Sequence, residues 1–149
     1  MFPLPDPMAR ALAAARTAAA EGEVPVGAAL VRDGAVIALA ANAPRLLRDP
    51  TAHAEMRVIR EAARRLDRER LEDCDRWVTL EPCAMCAGAI AHARIRRLYY
   101  GAPDPKGGAV EHGARVFAQP TCHHRPDVYA GIGEREAAGL LRGFFANRR

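Results

Sequence analysis

The chain has 149 residues, half of them hydrophobic, and a formal net charge of +4. That is long enough for one domain, residues 1–149, with a real core, and it excludes a disulfide-framed mini-protein and a low-complexity chain. The charge permits an RNA partner without demonstrating one, because many enzymes are as basic.

The first stretch, Met1-Phe-Pro-Leu-Pro-Asp6-Pro, has no basic region followed by an apolar run, and nothing later approaches a membrane span, so a cytoplasmic protein with no membrane partner is expected. Asp6-Pro7 opens an alanine-rich helix predicted to stop near Gly22. Val26–Val31 is a continuous apolar run suited to a strand buried on both faces, and Arg32-Asp33-Gly34 reads as a hairpin turn into Ala35–Ala41. A loop over Asn42–Arg48 leads to a helix whose start is predicted at Asp49-Pro50-Thr51, with Met56, Ile59, Ala63 and Leu66 on its apolar face. The charged run from Arg57 to Arg76 mixes both signs and reads as a solvated face.

Trp77–Leu80 is the next strand, Pro82 starts a helix, and Arg96–Tyr100 is a strand after it, a succession that implies a parallel pair with a right-handed crossover. Gly101–Arg125 reads as a long loop with a short helix, followed by a short strand at Asp127–Ala130. The last helix places Ala137, Leu140, Leu141, Phe144 and Phe145 at core-facing spacing, so both phenylalanines read first as packing residues. This alternation predicts an α/β fold, a sheet covered by helices on both faces.

The chemistry concentrates in Thr51-Ala-His53-Ala-Glu55 and Glu81-Pro82-Cys83-Ala-Met-Cys86. One imidazole, two thiols and a carboxylate are the ligands plus acid/base that a catalytic zinc needs. Cys83 and Cys86, three apart, share one face of a helix and can reach one metal. His53 and Glu55 would diverge in mid-helix, so they share a site only if it lies off the helix start. Two helix N-termini aimed at that point would favour thiolates. Three protein ligands leave a fourth position for water, and Glu55 is then free to move its protons.

Other readings stand beside this one. A Cys-x-x-Cys after an apolar strand also suits a thioredoxin-like dithiol, and a closed four-ligand zinc site would draw on Cys74 or on Cys122 with His123 and His124. A dithiol oxidoreductase and a non-catalytic zinc or RNA-binding module are therefore competing functions.

His53-Ala-Glu55 with Pro82-Cys83-Ala-Met-Cys86 resembles the signature of zinc-dependent nucleobase deaminases. Glu23-Val-Pro-Val-Gly27, Asp49–Glu55, Val78–Gly88, the Gly101-Ala-x-Asp104-x-Lys106 stretch and His124-Arg125 extend the resemblance to bacterial tRNA adenosine deaminases over nearly the whole chain. The resemblance implies a three-layer cytidine deaminase-like fold with a mixed five-stranded sheet, a homodimer, one Zn²⁺ per subunit held by His53, Cys83 and Cys86, and Glu55 as catalytic acid/base. It implies adenosine-to-inosine conversion at the wobble position of a tRNA anticodon stem-loop, normally an arginine tRNA with anticodon ACG. The alternative substrate is a free nucleobase or nucleoside of the guanine or cytosine type.

By the same resemblance Asn42 lines the base pocket, although Asn42 capping a turn before Pro44 accounts for it equally. Asp104 and Lys106 would meet the nucleotides flanking the target. Arg125, Arg148 and Arg149 are candidate phosphate partners, and Phe145 a candidate stacking surface. Three regions depart from the family's pattern: an apolar Asn42–Arg48 loop, an idiosyncratic Glu111–Thr121 segment, and an end at Arg149 without the basic tail many relatives carry. They bear on the grip of an RNA loop and leave the metal chemistry untouched.

Overall fold

The computed structural model describes residues 3–148; the candidate phosphate partner Arg149 lies outside them. The elements are α1 (Asp6–Ala20), β1 (Gly27–Arg32), β2 (Ala35–Ala41), α2 (Pro44–Leu47), α3 (Ala54–Leu66), β3 (Cys74–Leu80), α4 (Ala84–Ala93), β4 (Arg97–Ala102), a 3₁₀ turn at Val116–Ala118, β5 (Asp127–Tyr129) and α5 (Glu134–Ala146). The sheet has five strands in the order β2-β1-β3-β4-β5. β1 runs antiparallel to β2 and β3, whereas β3, β4 and β5 are parallel, so the sheet is mixed as expected.

Local chemistry explains the pairing. Asp33 and Gly34 both take positive φ, 51° and 78°, which lets a two-residue turn follow the strands' twist and join β1 to β2. β1 is buried along nearly its whole length, as a central strand covered on both faces must be. Ala54, Val58 and Ala62 of α3 and Ala87, Ile90 and Ala93 of α4 pack with Leu30, Val78 and Leu98 on one side of the sheet. Met8, Ala11 and Leu12 of α1 meet Ala137 of α5 and Trp77 on the other, which completes three layers. On that second side Trp77, Tyr99 and Tyr129 sit opposite one another on the three parallel strands and stack, with centroids 3.9 and 4.9 Å apart. Such cross-strand aromatic pairs pin the register.

Several expectations are corrected. The segment after β2 is not all loop: Pro44–Leu47 forms a one-turn helix, its first N–H groups held by the Glu23 carboxylate at 3.3 Å (Arg45) and 2.7 Å (Leu46). α3 starts at Ala54 rather than near Asp49, because the Asp49 side chain accepts from the Thr51 N–H and hydroxyl in a tight turn instead of capping a helix. Its buried row is Ala54, Val58 and Ala62, with Ile59 and Leu66 at the margin, because alanines let the helix lie close to the sheet. β3 extends back to Cys74 and takes in Arg76, which is 0% exposed and so is not part of a solvated face. Phe145 is 54% exposed and packs edge-on against Phe144 rather than into the core.

The closeness of α1 to the sheet depends on Gly27, where a Cβ would fall 1.9 Å from the Ala11 carbonyl oxygen. Gly27→Ala should therefore destabilise by about 3 kcal/mol, lowering the melting temperature by roughly 6–12 °C in thermal unfolding. Gly143→Ala, at a helical position with nothing within 4 Å of the new Cβ, should instead stabilise by about 0.5–1 kcal/mol.

Candidate metal centre and its surroundings

Two helix starts face one another at the end of the sheet where β3 finishes. His53 is the N-cap of α3 and Cys83 the N-cap of α4, both with extended backbone, and neither side chain caps its own helix. Positions where Ser, Thr, Asp or Asn would ordinarily satisfy the first N–H groups are given to donor residues turned outward. Cys86, in the first turn of α4, lies beside Cys83.

The His53 Nδ1 atom is 3.6 Å from Cys83 Sγ and 3.5 Å from Cys86 Sγ. Bonds of about 2.3 Å to sulfur and about 2.0–2.1 Å to nitrogen at tetrahedral angles would put such donors about 3.6 Å apart. The three residues thus fit zinc, and all their donor atoms fall within 4.8 Å of one another. Among the described residues no fourth Cys, His or carboxylate joins the group, so the donor set is that of an open site. The other two cysteines lie elsewhere: Cys74 is buried in β3, and Cys122 donates to the His124 carbonyl at 3.1 Å.

The two sulfurs behave as a pair. The hydrogen bond between them draws Cys83 below the ordinary thiol range, with further help from His53, and pushes Cys86 above it. His53 is raised by its contact with Cys83. A cation placed among the three donors removes the shared proton, so metal binding here releases protons.

Glu55, in the first turn of α3, is 4% exposed. Burial raises its pKa, and the charge of Arg76 opposes that rise. A raised carboxyl pKa is the direction that general acid/base work favours. Arg76 reaches it from β3: Nη1 donates to the Glu55 carbonyl at 2.6 Å, while Nε and Nη2 meet no hydrogen-bond acceptor among the described residues. A fully buried guanidinium costs several kcal/mol unless opposite charge compensates it. The charges that act on Arg76 are Glu55, Cys86 and Cys83. Arg76 is thus the buried counter-cation of the site.

The remaining candidates are distributed around this centre. Asn42 continues from β2, its N–H bonded to the Val26 carbonyl at 2.9 Å, and its side chain has no hydrogen-bond partner among the described residues. Asp104 spends its carboxylate on its own loop, accepting from the Lys106 and Gly107 N–H groups at 3.2 and 2.9 Å, and Lys106 is exposed. Arg125 donates to the Phe117 and Gln119 carbonyls, which fastens the loop before β5. Arg148 lies over the Phe144 ring, 4.3 Å from its centroid, and Phe145 offers an open ring face nearby. Arg76 and Glu23 were not legible as site residues, because a charged residue in a strand reads as solvated and Glu23 precedes the loop it holds by some twenty positions.

Residues 5–102 match the family described as cytidine and deoxycytidylate deaminase zinc-binding region. A tRNA-specific adenosine deaminase of Agrobacterium fabrum is 61% identical over 142 residues, covering 95% of this chain and 93% of that one. Its namesake in Rickettsia bellii is 45% identical over 95% and 99% of the two chains. A solved structure from biochemical and structural studies of A-to-I editing by tRNA:A34 deaminases superposes with a TM-score of 0.90 at 61% identity, covering 91% of this chain and 98% of that one. The extent of these matches and the three-donor site they enclose place the chain in the zinc-binding cytidine and deoxycytidylate deaminase family, among relatives named tRNA-specific adenosine deaminase.

Proposed function

We propose that the protein is a zinc-dependent hydrolase that converts adenosine to inosine at the wobble position of a tRNA anticodon loop. The observation that carries this reading is the open His53, Cys83, Cys86 donor set with buried Glu55 beside it. The 61% identity to a tRNA-specific adenosine deaminase supports the choice of substrate.

Zinc, when bound, supplies a Lewis acid that brings the pKa of a water in the fourth position to about 7. The chain's own residues do the proton work. Glu55 is placed to take a proton from the attacking water and hand it to the ring nitrogen beside C6 as the water oxygen bonds to that carbon. It would then carry the proton left on that oxygen to the amino group, so that the C6–N bond breaks, ammonia leaves and the carbonyl of inosine forms. Arg76 keeps the Glu55 turn in place through the carbonyl bond and balances the charge the carboxylate carries between transfers. The target base must leave its stack to reach the centre, which suits a splayed single-stranded loop.

In this reading the protein is a single-domain cytoplasmic homodimer acting on an arginine tRNA with anticodon ACG. Asn42 contacts the base, Asp104 and Lys106 border the flanking nucleotides, and Arg125 and Phe145 serve phosphate and base contacts farther out. No described helix is long and apolar enough to cross a membrane.

Glu55→Ala should keep one zinc per chain and lose about 10²- to 10⁴-fold in turnover. Near-normal turnover in that variant would remove Glu55 from the chemistry. Cys86→Ala should lose the metal itself, read by elemental analysis after gel filtration. Zinc-loaded protein is expected to release ammonia and form inosine in an ACG anticodon stem-loop, with free adenosine, guanine and cytosine inert. Turnover of a free base with the stem-loop untouched would keep the zinc chemistry and discard the tRNA substrate.

A further inference from the structure

A second buried carboxylate lies next to the metal centre and takes no part in the mechanism above. The Glu81 side chain is 0% exposed and directly precedes Pro82 and Cys83. Its Oε2 accepts from the backbone N–H groups of Val110, Glu111 and His112 at 3.1, 3.0 and 3.2 Å. Its Oε1 accepts from the Asp104 N–H at 3.0 Å and meets His112 Nδ1 at 2.7 Å. Five donors thus converge from one segment on one carboxylate.

The rest of that segment is fitted around the same group. A Cβ at Gly108 would fall 2.5 Å from the Glu81 carboxyl carbon, so only glycine lets the chain lie so close. The Ala109 N–H donates to the Pro82 carbonyl at 2.8 Å, and the buried Tyr100 hydroxyl donates to Glu111 at 2.6 Å. Residues 104–112 are therefore fastened to the turn that presents Cys83, and Asp104 and Lys106 ride on that segment. A buried carboxylate surrounded by backbone donors resists deformation, since each lost bond strands a charge-bearing oxygen or an N–H group.

We propose that Glu81, with His112, is a positioning pair for the substrate: it holds the 104–112 segment at a fixed place beside the metal-bearing turn, so that RNA entering the site meets a preformed wall. Neither residue touches the reacting atoms. The proposal rests on the RNA-editing reading, and it predicts that the pair governs substrate affinity rather than the chemical step.

His112 is the accessible member, with a side chain 36% exposed, so its variants should fold. His112→Ala removes one charge-assisted donor and should raise KM for the ACG stem-loop roughly tenfold, with kcat within about threefold of wild type. His112→Asn, whose side-chain amide can put an N–H where Nδ1 stands, should restore KM to within about threefold. Glu81→Gln turns one acceptor into a donor facing other donors, and should raise KM by roughly a hundredfold while one zinc per chain is retained.

Hydrogen exchange supplies a readout independent of turnover: the amides of Asp104, Val110, Glu111 and His112 should exchange faster in His112→Ala and Glu81→Gln and recover in His112→Asn. The proposal is overturned if these amides loosen while stem-loop affinity, measured in the Glu55→Ala background, stays at the wild-type value. It is also overturned if the variants lower kcat at unchanged KM, or if His112→Asn fails to rescue. Those results leave the editing activity of wild type standing. Wild type that neither binds nor edits the stem-loop would overturn the functional reading and this proposal together.

Discussion

Everything in this molecule depends on two helices beginning at the same point. A helix start carries unsatisfied N–H groups and partial positive charge, and here two such ends meet beyond β3 with His53 and Cys83 in the capping positions. Such a field favours thiolates over thiols. The 3.5 and 3.6 Å spacing between imidazole and sulfurs shows that the polypeptide sets the donor geometry through its own packing. The parallel β3-α4-β4 unit sets the start of α4 directly after the end of β3.

Around that centre the fold solves an electrostatic problem in layers. A metal that removes the proton shared by the two sulfurs leaves negative charge on them beside the buried Glu55, and Arg76 answers it from beneath the sheet-facing side of α3. The Glu81 carboxylate is close in sequence yet separate in purpose: its five donors consume its charge and leave it nothing to offer a substrate. Burial pushes its pKa upward, but the bonds from Asp104, His112 and the neighbouring N–H groups bring it below the ordinary carboxylate range. Two glutamates that look alike in the sequence thus sit in opposite environments: burial raises the pKa of Glu55, whereas hydrogen-bond donors lower that of Glu81.

The three donors positioned to hold a metal are legible because their logic is local: a Cys-x-x-Cys at a helix start and a His-x-Glu at another carry their geometry in their spacing. The strands expected at 26–31, 35–41 and 96–100 lie within two residues of those observed, since apolar runs and glycine turns are short-range signals. What failed was long-range. Asp49 and Thr51 have the chemistry of a cap but satisfy each other in a turn, so α3 begins later than its signals suggest. Arg76 stands in a charged run that reads as solvated, because nothing local reveals that Leu30 and Leu98 flank it in the sheet. His112 reaches Glu81 across 31 positions, in a segment with no periodicity to interpret.

The open three-ligand centre is the claim on which the rest stands, and X-ray absorption at the zinc edge of the purified protein tests it most directly. Two sulfur neighbours at about 2.3 Å, one imidazole nitrogen at about 2.0–2.1 Å and one further light atom that is not an imidazole are predicted. A third sulfur or a second imidazole in the coordination shell would describe a closed structural site and contradict the account.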